Sequence, residues 1–174
     1  MPTVLPRSRI LGTGHYLPPI VRTNFDIEKM VETSDAWITE RTGIKERRIA
    51  PEGVATSDMA TAAAKNALEM AGLRATDLDM IIVGTVTPDM PMPATAVFVQ
   101  HKLGAGCCPA FDISAACAGF VFGLSIADQF IASGQMKHIL VVGVELLSRV
   151  VDWTDRTTRR RGAARRARRT WRRR

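Results

Sequence analysis

The sequence has little cysteine and no long apolar run, and each shortage excludes a class of protein. Its 174 residues include three cysteines, two of them adjacent at Cys107 and Cys108, with no Cys-x-x-Cys pair. A disulfide framework and a zinc site are therefore both poor interpretations, and a reducing, cytoplasmic setting fits best. No segment approaches the roughly 20 apolar residues of a membrane helix, and no basic segment leads into an apolar signal core. We expect a soluble protein that binds neither a metal nor a membrane.

Basic residues are concentrated at one end of the chain. Ten of the 16 residues from 159 to 174 are Arg, and the whole chain has 24 basic and 17 acidic residues. Subtracting the ten leaves 14 basic against 17 acidic residues, a net charge of −3 for residues 1–158. Like charges repel and cannot build a core. We therefore predict one globular domain over residues 1–158 and a disordered, arginine-rich tail over residues 159–174.

The apolar spacing alternates between the periods of strands and helices. It predicts strands at residues 8–14, 45–50, 79–85, 109–113 and 138–144. It predicts helices at residues 24–31, 34–41, 58–71, 94–103 and 117–133. Asn24 and Ser57 are the expected caps of the first and third helices, and Gly72 is expected to end the third. Strands that alternate with helices imply an α/β fold whose sheet is largely parallel and covered on both faces.

One cysteine stands where a reactive thiol is expected. Residues 111–120 read Phe-Asp-Ile-Ser-Ala-Ala-Cys-Ala-Gly-Phe, so that a short apolar strand runs through small residues into a helix. The first amides of a helix have no intrahelical partner and its dipole is positive there, which favours a thiolate at Cys117. A cysteine flanked by Ala is, taken alone, more often a buried inert side chain. Both interpretations stay open on this segment alone.

Four windows of the sequence, in the same order, resemble beta-ketoacyl-[acyl-carrier-protein] synthase III. They are residues 33–44, 109–112, 115–120 and 152–156. The resemblance covers about residues 8–158 and corresponds to the first half of that enzyme. It implies a thiolase-like fold, in which two similar halves stack their sheets around shared helices, and a homodimer. Members of the family load an acyl group, usually acetyl, from coenzyme A onto a cysteine. They then condense it with malonyl-acyl carrier protein to begin a fatty acid.

The resemblance also implies a role for individual residues. Cys117 matches the acyl-accepting nucleophile, and Met92 matches a residue that reaches across the dimer into the acyl pocket. The positions that match coenzyme A contacts are Trp37, Arg41 and Arg156, with Thr33 and Thr42 as hydrogen-bonding neighbours. An indole and a guanidinium suit an adenine with its phosphates. No cofactor is expected, because the pair Gly12-x-Gly14 lacks the third glycine of a dinucleotide fingerprint.

The sequence departs from the family after Arg156. Members continue into an apolar strand and a glycine-rich turn, and their catalytic His and Asn come from the second half. Here the arginine-rich segment follows instead, so we expect a truncated chain whose reading frame shifts near Thr158. Such a chain would not complete the condensation. Two alternatives remain: an inactive fragment whose apolar faces promote aggregation, and a nonspecific nucleic-acid binder that uses the tail, without sequence-specific recognition.

Overall fold

A computed structural model describes residues 8–153 of the chain. These residues fall into two compact units, one made of residues 18–52 and 146–153, the other of residues 8–17 and 53–145. The predicted tail lies outside the described residues, so the division of the chain at residue 158 stays a prediction.

The unit of residues 18–52 and 146–153 is built on two antiparallel strands. Strand β1 (Ile20–Thr23) pairs along its whole length with β2 (Glu46–Ile49). Between them the chain forms two helices, α1 (Asn24–Glu28) and α2 (Asp35–Thr42). The short predicted strand and both predicted helices of this region are therefore present.

Asn24 does not cap α1 as predicted. The side chain of Thr23, not that of Asn24, caps α1 by accepting the N–H of Asp26 at 3.2 Å. Asn24 itself is buried, and its Nδ2 donates to Asp35 Oδ1 at 2.7 Å and to the Ile44 carbonyl at 2.8 Å. A buried amide needs such partners. Asn24 thus connects both ends of α2 to the strand pair.

The other unit is built on a parallel sheet. Its helices and strands are, in chain order, α3 (Thr56–Ala71), β3 (Met80–Gly84), α4 (Thr95–Leu103), β4 (Ala110–Ile113), α5 (Gly119–Ala132) and β5 (Ile139–Gly143). The strand order is β4-β3-β5, and both pairings are parallel. Parallel neighbours need a crossover connection, which the helices provide. The prediction of an α/β fold with a largely parallel sheet is confirmed.

The central strand β3 divides the core of this unit into two layers. All five of its residues are buried. Ile81 and Val83 pack into a cluster with residues of α3, α4 and β5, whereas Met80 and Ile82 pack against Ala127 of α5. Successive side chains of a strand point to opposite faces, so one continuous apolar run supplies both layers. Helices therefore cover both faces of the sheet, as predicted.

The prediction of a strand at residues 8–14 is wrong. This segment is irregular, and its two glycines lie against the backbone of α3. A Cβ on Gly14 would stand 2.2 Å from the Ala63 carbonyl oxygen, and one on Gly12 would stand 2.4 Å from that of Ala67. The alternation of apolar residues favoured a strand, but a strand also needs a neighbour to pair with. The segment instead packs backbone to backbone on a helix.

The predicted cap of α3 is also misplaced. The helix begins at Thr56 with Ala55 in the cap position, and Asp58 Oδ2 accepts the N–H of Ala55 at 2.8 Å. Ser57 lies inside the first turn and is fully buried. Its hydroxyl is enclosed in a polar cluster: Lys102 Nζ donates to it at 2.6 Å, and it donates to Asp89 Oδ2 at 2.5 Å.

Replacing Gly14 by Ala should destabilise the protein, because the new methyl group would overlap the α3 backbone. We expect the free energy of unfolding to fall by about 1–3 kcal/mol, the usual cost of overpacking. Gly106→Ala is the matched control, since a Cβ there would have no atom within 4 Å. Urea titrations of both variants would measure the difference. Equal stability of the two variants would contradict the packing of residues 8–17 on α3.

Candidate active site

Cys117 lies in a tight turn between β4 and α5. Residues Ala116–Ala118 form a single 3-10 turn, and α5 begins only at Gly119, two residues later than a helix starting at Cys117 would. Ala116 has φ of +47°, in the left-handed region. This conformation costs about 1–2 kcal/mol in a residue with a Cβ, so the turn stores strain next to the cysteine. The Cys117 side chain is exposed, so reagents in solution can reach the thiol.

The helix that follows Cys117 is fixed by close backbone contacts. A Cβ on Gly119 would lie 3.2 Å from Gly84 Cα, at the end of β3, and one on Gly143 would lie 3.1 Å from Phe120 Cβ. Glycine at these positions lets the first turn of α5 approach the sheet more closely than side chains would allow. The turn that carries Cys117 is consequently held between the end of β4 and a closely packed helix start.

The other two thiols differ in environment. Cys107 is exposed, whereas Cys108 is half-buried and lies 3.5 Å from Gln100 Nε2. Burial raises the pKa of the Cys108 thiol, which keeps it protonated. Cys107 and Cys117 are therefore the accessible thiols of the chain, and Cys107 can serve as an internal comparison.

Trp37 and Arg41 share one face of α2. Ser34 caps this helix by accepting the N–H of Trp37 at 3.1 Å. The Arg41 Cζ atom lies 4.9 Å from the centre of the Trp37 ring, within the range of a cation–π contact. Because a base cannot fit between groups this close, Arg41 must swing away before a nucleotide could stack on the indole. Arg41 is exposed, so it has solvent to move into.

The two threonines predicted as neighbours of this pair have unequal surroundings. The Thr42 hydroxyl donates to the Ile38 carbonyl at 2.7 Å and accepts the N–H of Ile44 at 3.1 Å. It therefore closes the end of α2. The Thr33 hydroxyl oxygen is buried and has no hydrogen-bond partner among residues 8–153. A buried hydroxyl is usually satisfied, so a bound molecule or a water would complete it.

A second arginine–tryptophan pair was not predicted. Arg22 of β1 lies over Trp153, with Cζ 4.3 Å from the ring centre, and Trp153 Nε1 donates to the Ser148 carbonyl at 3.0 Å. Trp153 is part of the 152–156 window, but the spacing of 131 residues from Arg22 hides the contact from any local sequence pattern. The pair anchors the segment that leads to Arg156, which itself lies outside the described residues.

Met92 stands at the tip of a loop whose ends are firmly held. Its side chain is 84% exposed. At one end of the loop, Glu145 accepts the N–H of Val86 at 2.9 Å and the Thr87 hydroxyl at 3.0 Å. Further along, Asp89 Oδ1 accepts the Ser57 N–H at 2.8 Å. The methionine is thus presented to solvent on an ordered support.

The part of the chain that the structure describes contains no group of His, Cys, Asp and Glu side chains that could hold a metal ion. None of its helices combines the length and apolar character needed to cross a membrane. The segment predicted to bind nucleic acid, residues 159–174, falls outside it.

Comparison with known proteins finds similarity to one family. Residues 111–161 match the family model of 3-oxoacyl-[acyl-carrier-protein (ACP)] synthase III. The chain is 61% identical over 149 residues to a beta-ketoacyl-[acyl-carrier-protein] synthase III of Caldanaerobacter subterraneus subsp. tengcongensis, covering 86% of the chain and 45% of that relative. The chain spans about half the length of the curated relatives that it matches.

Solved structures agree with the sequence comparison. The crystal structure of 3-oxoacyl-[acyl-carrier-protein] synthase III from Aquifex aeolicus VF5 is similar with a TM-score of 0.83 and 58% identity, over 86% of this chain and 48% of that one. A priming beta-ketosynthase from the R1128 polyketide biosynthetic pathway gives a TM-score of 0.82 at 38% identity, over 90% and 47% of the two chains. The fold is therefore thiolase-like, as the resemblance implied.

Replacing Ala116 by Gly should relieve the strain of its left-handed backbone. The relief of about 1–2 kcal/mol is partly offset by the extra flexibility of glycine in the unfolded chain, so we expect a net gain in the free energy of unfolding of up to about 1 kcal/mol. Ala118→Gly is the control, because Ala118 has φ of −89° and gains nothing. Chemical denaturation should show the control losing about 0.5–1 kcal/mol. Equal losses in both variants would rule out the strained turn.

Proposed function

Since the chain belongs to the beta-ketoacyl-[acyl-carrier-protein] synthase III family, we propose that Cys117 accepts an acyl group from acyl-coenzyme A. Acetyl is the expected group, and the complete enzyme would pass it to malonyl-acyl carrier protein to begin a fatty acid. The observation that carries this proposal is the exposed thiol of Cys117 in the turn between β4 and α5. A nucleophile must be reachable by its substrate, and this thiol is.

The proposed step is a thioester exchange. The Cys117 sulfur attacks the carbonyl carbon of the acyl thioester, a new carbon–sulfur bond forms, and the bond to the coenzyme A sulfur breaks. The proton of Cys117 ends on the thiol of the released coenzyme A. No oxidant or further reactant is needed. A covalent intermediate divides the overall condensation into two easier steps.

The proposed nucleotide contacts are the residues that the family resemblance assigns. Trp37 would stack on the adenine, and Arg41, once moved off the indole, would close over its other face or bind a phosphate. Arg156 would add a second cation. The unpartnered hydroxyl of Thr33 supports a bound molecule near α2, whereas Thr42 would act by ending α2 correctly.

The remaining assignments are proposals of the same kind. We expect a cytoplasmic homodimer in which Met92 of one copy lines the acyl pocket of the other. A methionine adapts to apolar groups of varied shape, so linear and branched acyl groups could both be accepted. We expect the condensation to need donors that stabilise charge, which the family resemblance assigns to the second half of the enzyme and which are typically worth factors of hundreds or more in rate.

Incubation with acetyl-coenzyme A should add one acetyl group to the chain. Intact-mass spectrometry should show this addition for the unmodified chain and for Cys107→Ala, and it should disappear for Cys117→Ala. Cys107→Ala is the matched control because Cys107 is also exposed. Acetylation that survives in Cys117→Ala would refute the assignment of the nucleophile.

Replacing Trp37 by Ala should slow acylation only when the donor carries a nucleotide. We expect acetyl-coenzyme A to react about tenfold more slowly, since base stacking on an aromatic side chain is worth about 1–3 kcal/mol. Acetyl-pantetheine, which lacks the nucleotide, should react at the unchanged rate. Equal slowing with both donors would show that Trp37 supports the fold and does not bind the nucleotide.

A further inference from the structure

The carboxylate of Asp112, on β4, holds the start of α4. Its Oδ2 accepts the N–H of Thr95 at 2.7 Å, and its Oδ1 accepts the N–H of Ala96 at 2.8 Å. Both residues are fully buried. The residue before the helix is Ala94, which has no polar side chain to serve as a cap. Without Asp112, two buried amides would lose their partners.

The helix start held by Asp112 is also the end of the loop that carries Met92. Asp89, within that loop, donates its N–H to Thr95 Oγ1 at 3.3 Å. The Asp89 carboxylate is fixed in turn by both the N–H and the hydroxyl of Ser57. A continuous series of hydrogen bonds therefore runs from Ser57 through Asp89 and Thr95 to Asp112.

On its other side, Asp112 belongs to the strand that leads to Cys117. It is the third of the four residues of β4 and stands five residues before the cysteine. Among residues 8–153, β4 pairs with β3 alone and is an edge strand. An edge strand of four residues has few backbone bonds to hold it. The two bonds to α4 therefore add to the pairing with β3 in fixing the position of the strand.

We infer that Asp112 is a positioning residue that fixes the Cys117 turn and the Met92 loop relative to each other. A cap that served α4 alone would stabilise the helix and leave the cysteine unaffected. Here the Asp112 side chain lies on β4, which leads into the Cys117 turn. It also accepts the first amides of α4, the helix that follows the Met92 loop. The inference rests on the proposed function for the roles of Cys117 and Met92, but not for its geometry.

The test compares Asp112→Ala with Asp112→Asn in the full chain, under conditions where circular dichroism shows every variant to be folded. Two quantities are measured: the rate of alkylation of Cys117 by iodoacetamide at neutral pH, from peptide mass spectrometry, and amide hydrogen exchange in residues 89–96 and 114–118. In Asp112→Ala we expect Cys117 to react about three- to tenfold more slowly, because a loosened turn no longer holds the thiol in its exposed position. Exchange should rise in both segments.

The conservative variant separates positioning from general stability. Asp112→Asn keeps one carbonyl oxygen that can accept one of the two amides, so its alkylation rate and exchange should fall between those of the unmodified chain and of Asp112→Ala. This partial rescue should appear in residues 114–118 as well as at α4. A role confined to α4 would change exchange in residues 89–96 alone.

Asp79→Ala is the matched control. The Asp79 carboxylate also accepts two consecutive backbone amides, from Lys137 at 2.8 Å and from His138 at 2.9 Å. Asp79 precedes β3, so these bonds lie at the N-terminal ends of the strands, away from Cys117. Its loss should lower stability and leave the alkylation of Cys117 unchanged. An unchanged Cys117 rate in Asp112→Ala, or an equal decrease in Asp79→Ala, would overturn the inference.

The same samples distinguish this inference from the proposed function. If acetyl-coenzyme A leaves Cys117 unmodified while iodoacetamide alkylation still depends on Asp112, the acyl-transfer role fails and the positioning role stands. If acetylation occurs but the alkylation rate is independent of Asp112, the reverse holds.

Discussion

The close contact between the end of β3 and the start of α5 is the constraint on which the candidate site depends. Gly84 and Gly119 have no side chains, so their backbones approach until a Cβ on Gly84 would lie 2.8 Å from the Gly119 carbonyl carbon. Gly123, one turn further along α5, lies against the Val141 side chain of β5, whose Cγ1 would stand 2.8 Å from a Cβ at this position. These contacts fix where α5 begins. Since Cys117 stands two residues before that point, they also fix the cysteine, and the left-handed Ala116 lets the chain turn sharply enough to reach it.

Carboxylates in this unit accept hydrogen bonds from backbone N–H groups at helix starts, which have no partner within the helix. Asp58 binds Ala55 at the start of α3, and the hydrogen bond from Lys102 lowers the pKa of its carboxyl group. Asp112 does the same for α4, whose own cap position is an alanine. Backbone amides at helix starts are rarely left without partners, and here the partner comes from the first turn of α3 itself for that helix and from β4 for α4. Through Asp112, the start of α4 is connected to the sheet.

The sequence predicts those parts of the fold that depend on local spacing. The buried run of β3, the C-terminal glycine of α3 and the paired residues of α2 all follow from patterns within a few positions, and each is present. The errors concern contacts made across the chain. Residues 8–14 have the alternation of a strand but pack on α3, and Ser57 has the chemistry of a cap but is buried beneath Lys102 and Asp89. The contact between Arg22 and Trp153 has no local signature at all, because only the folded chain brings the two together.

Two of the three histidines, His101 and His138, lie away from the end of the sheet that carries Cys117. The carboxyl ends of parallel strands meet at one edge of a sheet, and the turn that carries Cys117 lies at that edge, just after β4. His138 precedes β5, so it lies at the opposite edge, where its Nδ1 contacts the Asp77 carbonyl at 3.1 Å. His101 is in the last turn of α4, a helix that starts beside Asp112 and runs back towards the opposite edge. Neither side chain can assist chemistry at Cys117. The thiol and its turn are formed by contacts within this unit, and the proposed thioester exchange calls on that thiol, whereas the proposed condensation needs further polar groups beside the cysteine.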